Sequence, residues 1–194
     1  MPAKPGERRM QILQTLAEML QAPQPEKITT ATLAKRLEVS EAALYRQFAS
    51  KAQMYEGLIE FIETSLFVVI NRIEAEEADP TARVQAIVAL LLGFAHKNPG
   101  MTRVLIGEAL VNEDERLQAR INQLLDRCEA SIKQSLRLAG GANSALDPAA
   151  AANLLLSFVI GRWHQFAKGG FRRAPADGWR ELWDKLVLLL QAKA

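Results

Sequence analysis

The chain has 194 residues, 49% of them hydrophobic and 24% charged, a balance that suits a soluble globular protein able to bury a sizeable core. Its formal net charge of +2 excludes chain-wide basicity as a reason to expect nucleic acid, and its single cysteine, Cys128, excludes an intramolecular disulfide framework. No long apolar run follows the first basic residues and no apolar cluster approaches the length of a membrane span, so a cytoplasmic protein is expected.

Pro2, Pro5 and Gly6 are expected to keep the start of the chain irregular. A helix is then predicted from about residue 7 to 20, with Ile12, Leu13, Leu16, Ala17 and Leu20 on one face and Pro23 and Pro25 to stop it. Thr29 or Thr30 caps a second helix that ends near Leu37, and Glu38, Val39 and Ser40 form a turn. Ser40 caps a third helix over 41–48. Ser50 caps a long fourth helix over about 51–76, carrying Met54, Leu58, Phe61, Ile62, Leu66, Val69 and Ile73. Asp79 and Pro80 open a helix that holds Ile87, Leu90, Leu91 and Phe94. Asn98, Pro99 and Gly100 break the chain before a shorter helical stretch through Leu105 and Leu110. A helix over about 113–138 ends at Gly140 and Gly141. Asp147 and Pro148 start the next, which closes at Gly169 and Gly170, and a last helix covers about 177–192. Sustained strand alternation is absent, so an all-α protein of about nine helices is expected.

Residues 40–51, SEAALYRQFASK, carry the most functional information. Placed after a helix and a three-residue break, they read as the second half of a helix-turn-helix. The small Ala31, Ala34, Ala42 and Ala43 permit two helices to cross closely, and Leu33, Leu37, Val39, Leu44 and Phe48 supply the wedge between them. Arg46 and Gln47 carry donors suited to base edges or phosphate, while Thr29, Thr30, Tyr45 and Lys51 sit where groups would meet the DNA backbone. Ser40, Glu41 and Ala43, at the start of the same helix, complete the expected DNA-binding set; free amides at a helix start favour phosphate. Residues 1–51 hold eight Lys and Arg against five Glu, so this quarter is mildly basic on a near-neutral body. On spacing alone Tyr45 is also an interfacial aromatic and Arg46 a solvated charge. The expected division is a DNA-binding domain over 1–51 and a dimerisation and partner-binding domain over 52–194.

The last two helices carry a wide apolar load. Leu154, Leu155 and Phe158 on one, with Trp179, Leu182, Trp183, Leu186 and Leu190 on the other, would be buried if two subunits paired them as a four-helix interface. Such a homodimer also matches a palindromic DNA site. Phe61, Leu90, Gly93, Lys97 and Asn98 read from periodicity as core packing with one surface charge, though Gly93 leaves room for a close partner. Catalysis is not expected. Two histidines, one cysteine and no glycine-rich phosphate loop give neither a metal site, a poised nucleophile nor a cofactor cradle. Cys128, between Leu124 and Ile132, reads as a buried thiol.

Residues 29–51, TTATLAKRLEVSEAALYRQFASK, resemble the DNA-binding signature of the TetR-type regulators. The stretches SEAALYRQF, LIEFIETSL, LLLGFAHKNPG and RINQLLDR resemble more narrowly the nucleoid occlusion branch of that family, with matching segments from about residue 11 to 190. This resemblance implies an N-terminal three-helix module on a helical dimerisation body, and a dimer on palindromic double-stranded DNA, with several dimers allowed per site. It implies a second partner, the C-terminal tail of the tubulin-like division protein FtsZ, whose assembly the DNA-bound dimer antagonises. The tail groove of that branch lies between the fourth and fifth helices, and its positions match Phe61, Leu90, Gly93 and Asn98. Lys97 stands where the family can have arginine, keeping the charge without the bidentate fork. Val69 stands where the family can have a basic residue, and its side chain brings no charge to an acidic tail. The alternative is a TetR-type repressor with a small-molecule effector pocket, for which Phe94, Met101, Leu105, Leu125 and Phe158 are candidate lining. A purely structural helical dimer is the third class.

Overall fold

In the computed structural model the described residues are 5–22, 28–140 and 147–191, and among them every regular element is helical. The elements are α1 (Pro5–Met19), α2 (Thr30–Arg36), α3 (Glu41–Tyr45), α4 (Lys51–Glu76), α5 (Pro80–Lys97), α6 (Pro99–Leu105), a single 3-10 turn (Glu108–Leu110), α7 (Glu115–Gly140), α8 (Pro148–Lys168) and α9 (Trp179–Gln191). Polar caps set most of the starts. Thr29, not Thr30, caps α2 in a reciprocal capping box: its hydroxyl accepts from the Thr32 amide at 3.1 Å, and its own amide donates to the Thr32 hydroxyl at 2.9 Å. Ser40 Oγ accepts from the Ala43 amide at 3.2 Å, Ser50 Oγ from the Gln53 amide at 3.2 Å, and Asp147 Oδ2 from the Ala150 amide at 3.0 Å.

Three expectations are corrected. Pro5 and Gly6 belong to α1, because a proline in the first turn loses only an amide that has no helical partner. The third helix stops at Tyr45 rather than Phe48; the amides of Gln47 and Phe48 both donate to the Leu44 carbonyl, which winds the chain into a turn. The last helix starts at Trp179, after Gly178 takes a left-handed φ of 68°. Pro2, Pro23, Pro25, Gly141 and the side chain of Leu190 lie outside the described residues.

The chain divides into two compact units. The first holds the described residues through Glu63 together with 98–121, that is α1 to α3, the first half of α4, α6, the 3-10 turn and the start of α7. Its core is Ile12, Leu13 and Leu16 of α1, Leu33 of α2, Leu44, Phe48, and Met54, Leu58, Ile59 and Ile62 of α4, all buried. Burying each such side chain contributes about 1.5–3 kcal/mol. Gly100 lets α6 lie directly on α1, since a Cβ there would fall 1.9 Å from the Ala17 carbonyl oxygen.

The second unit holds 64–97 and the described residues from Asn122 on. Its core joins Val84, Ile87, Val88 and Leu91 of α5, Leu124, Cys128 and Ile132 of α7, and Leu155, Val159, Trp163 and Phe166 of α8. The buried Trp163 indole donates to the Leu91 carbonyl at 3.1 Å, tying α8 to α5.

Candidate nucleic-acid interface and partner groove

The turn between α2 and α3 is sharp enough to need Glu38 at a φ of 55°, in the left-handed region. From there α3 runs for five residues with Leu44 fully buried under it and Tyr45 and Arg46 pointing to solvent. Tyr45 is 46% exposed. The outer face is cross-linked by hydroxyls. Thr30 Oγ1 donates to Glu41 Oε2 at 2.6 Å, and the Tyr45 hydroxyl reaches Thr30 Oγ1 at 3.5 Å. Ser40 and Thr29 are engaged in caps, Ala43 is half-buried, and Gln47 is half-buried at the end of the turn. What the arrangement offers a duplex is a short helix with an exposed phenol, an exposed guanidinium and a rim of hydroxyls.

Two pairings escape sequence reasoning. Arg9 on α1 stacks its guanidinium 4.1 Å from the Phe48 ring centroid and donates to the Gln47 carbonyl at 3.1 Å, so α1 holds the end of the turn after α3. Lys51, the first residue of α4, pairs its ammonium with the carboxylate of Glu113. No local periodicity links residues 9 and 47 or 51 and 113, so neither pairing has a signal in a single sequence.

Of the groove residues, Phe61 and Asn98 are brought together in the first unit. They line a cavity of about 300 Å³ with Met10, Leu13, Leu58 and Met101. Val69, Leu90, Gly93 and Lys97 lie in the second unit. There Val69 and Leu90 are half-buried, Lys97 is exposed, and a Cβ on Gly93 would meet nothing within 4 Å. Of the effector-pocket residues, Met101 lines the cavity of the first unit, whereas Leu105 is buried and Phe94, Leu125 and Phe158 are half-buried.

The residues expected at a subunit interface divide by exposure. Leu154 is 58% exposed, and Phe158, Leu182 and Leu186 are half-buried. Leu155, Trp179 and Trp183 are buried within the chain itself, where Phe158 stacks on Trp179 at 5.7 Å and Trp179 lies 5.4 Å from Trp183. Leu188, 69% exposed on α9, was not singled out from the sequence. Cys128 is fully buried, and burial, opposed by the neighbouring Arg127 charge, pushes its thiol up to about 12. Among the described residues no group of three His, Cys, Asp or Glu side chains is placed to hold a metal ion.

Comparison with known proteins covers both ends of the chain. Residues 12–58 match the bacterial regulatory proteins of the tetR family, and residues 78–191 match the tetracyclin repressor-like C-terminal domain. The nucleoid occlusion factor SlmA of Marinomonas sp. (strain MWYL1) is 49% identical over 190 residues, covering 96% of each chain. Its counterpart from Alteromonas mediterranea is 51% identical over 187 residues, 94% of this chain and 96% of that one. The one from Vibrio cholerae serotype O1 is 50% identical over 180 residues, 91% and 92% respectively. Among solved structures, a TetR-family regulator from Agrobacterium tumefaciens superposes with a TM-score of 0.76 at 14% identity, covering 97% of this chain and all of that one. The TetR-family regulator PfmR from Thermus thermophilus gives 0.74 at 21% identity over 93% and 97% of the two chains. These two likenesses concern the fold.

Proposed function

The chain belongs to the SlmA family of nucleoid occlusion factors, built on the TetR-type fold, and from that membership we infer that it binds chromosomal DNA as a homodimer and antagonises FtsZ assembly there. The observation that carries this reading is the near full-length identity, 46–51%, which takes in the helix-turn-helix and the helical body together. The protein is a DNA-binding regulator of cell division, not an enzyme, and it works in the cytoplasm at the nucleoid.

The residue roles follow from chemistry and position. In this reading 1–51 is the DNA-binding domain and 52–194 the dimerisation and partner-binding body. Arg46 and Gln47 approach base edges or phosphate. Ser40, Glu41 and Ala43 stand at the start of the third helix, and Thr29, Thr30, Tyr45 and Lys51 address the backbone. Phe61 and Asn98 of the first unit, and Val69, Leu90, Gly93 and Lys97 of the second, are the residues the family resemblance assigns to the FtsZ tail, and the exposed Lys97 carries a cation suited to an acidic tail. The dimer surface is carried by Leu154, Phe158, Leu182 and Leu186, whose side chains keep accessible area, and Leu155, Trp179 and Trp183 shape it from beneath. Dimers gathered on one DNA molecule present several tail sites together, which raises their effective concentration toward a polymeric target.

The test is binding of a fluorescent FtsZ tail peptide to the dimer with and without cognate duplex, followed by anisotropy. Binding that tightens when DNA is present is expected. No binding in either state, together with release from DNA by a small metabolite, would replace this reading with an effector-controlled repressor.

A further inference from the structure

We propose that Glu113 sets the affinity of this protein for the DNA backbone by competing with phosphate for the Lys51 ammonium. The proposal rests on the reading of Lys51 as a backbone contact. Its geometric basis is the ion pair itself: Lys51 Nζ meets Glu113 Oε1 with side chains only 23% and 16% exposed, so the carboxylate holds the ammonium in a partly shielded position. Three other cations of the helix-turn-helix are placed differently. Among the described residues, Lys35, Arg36 and Arg46 are exposed and none is in an ion pair.

Glu113 is not a loose surface group. It follows Asn112, whose φ of 64° turns the chain out of the 3-10 segment toward α7. From that turn onward a ladder of charges fastens the start of α7 to the first half of α4. Arg116 Nε meets Glu56 Oε1 at 3.0 Å, and Arg120 Nη2 meets Glu63 Oε2 at 2.7 Å while its Nη1 donates to the Glu56 carbonyl at 3.3 Å. Glu113 and Lys51 are the rung at the DNA-facing end. The ladder therefore keeps Glu113 beside Lys51 when a duplex arrives, and the phosphate must take the ammonium from a carboxylate that stays nearby. Two costs follow: loss of the pair, and repulsion between the phosphate and the carboxylate left beside it. Both are independent of base sequence, because backbone contacts carry no sequence information.

The experiment uses the full-length dimer and a random-sequence duplex, with dissociation constants measured against salt for wild type, Glu113→Gln, Asp114→Asn, Lys51→Met and the double variant Lys51→Met/Glu113→Gln. Asp114→Asn removes the same charge one residue along, from a carboxylate that faces Arg116 at 3.3 Å rather than Lys51, and so serves as the control for a carboxylate neutralised with the Lys51 pair left in place. Glu113→Gln should tighten binding about three- to tenfold beyond Asp114→Asn and steepen the salt dependence by about one released counterion. That excess should vanish in the Lys51→Met background. Equal gains for the two neutralised carboxylates, or weaker binding for Glu113→Gln, would overturn the proposal while leaving the Lys51 reading intact. Unchanged binding of Lys51→Met would remove the Lys51 reading and the proposal with it. Melting curves accompany each variant, and Glu113→Ala takes the place of Glu113→Gln in the same comparison if the glutamine variant does not fold.

Discussion

The α2–α3 module and the helical unit around α5, α7 and α8 are held by different forces. In the module, two short helices of seven and five residues depend on a capping box, a serine cap and hydroxyl links between their outer faces. In the second unit, long helices bury Val84, Ile87, Leu91, Leu124, Ile132, Val159 and Trp163 completely. Helices that short do not persist alone, so their geometry rests on a few polar contacts and on the side chains beneath them. The DNA-facing end should therefore be tuned by single polar changes, and the body by changes of volume.

The largest break in that comparison is Trp163→Ala. It leaves a cavity at the centre of the second unit and removes the indole bond to the Leu91 carbonyl, which keeps its helical partner, and should cost about 3–5 kcal/mol of unfolding free energy. Denaturant titration measures this. A loss below about 1 kcal/mol would mean that the body tolerates volume change as easily as the module, and the contrast would fail.

Ser40→Ala probes the other side at smaller scale. Removing the acceptor for the Ala43 amide should cost about 1 kcal/mol and loosen the recognition helix, so that DNA affinity falls by a larger factor than a comparable cap loss in the body, Asp147→Ala. Both variants are compared by anisotropy on the same duplex. Equal effects on DNA affinity would show that the caps act through global stability alone.

The two kinds of force also decide what a single sequence discloses. Ser40, Ser50 and Asp147 mark helix starts because a cap acts over three residues, and these caps are found where the residue types place them, while the structure chooses Thr29 over the equally suitable Thr30. The apolar spacing of α4, α5 and α8 disclosed part of the core, since periodicity is local: Met54, Leu58, Ile62, Leu66, Ile87, Leu91, Leu155 and Val159 are buried, whereas Phe61, Val69, Ile73, Leu90, Phe94 and Phe158 are half-buried and Leu154 is exposed. The end of α3 at Tyr45 was not legible, because the apolar Phe48 continues the helical spacing while its amide shares the Leu44 carbonyl in a tighter turn. Arg9 over Phe48, Lys51 with Glu113 and Trp163 with Leu91 were invisible for a simpler reason: each joins residues far apart in the chain. The residues expected at a subunit interface show the same limit. Helical spacing puts Trp179 and Trp183 on an apolar stripe with Leu182 and Leu186, but only packing distinguishes the part of that stripe filled from within the chain.

The smallest effect separates the two regions by titration. In the second unit burial holds Cys128 as a thiol, at about 12, whereas in the first unit Tyr55 is raised by burial and, beyond that, by the Glu113 carboxylate. For Cys128 the folded value lies above the unfolded one, near 9.0. Its contribution to stability is therefore complete below pH 9 and declines above it, as the unfolded thiol ionises first, until the folded thiol also ionises near 12. The stability advantage of wild type over Cys128→Ala should be flat from about pH 7 to 8, be lower by about 0.4 kcal/mol at pH 9, and go on falling. Because burial is the larger cause, this decline should be insensitive to salt, whereas the further shift that Glu113 adds at Tyr55 should be lost in Glu113→Gln. A Cys128 decline that disappears in high salt would place a charge, not carbon, as the main influence on that thiol and erase the distinction between the two units.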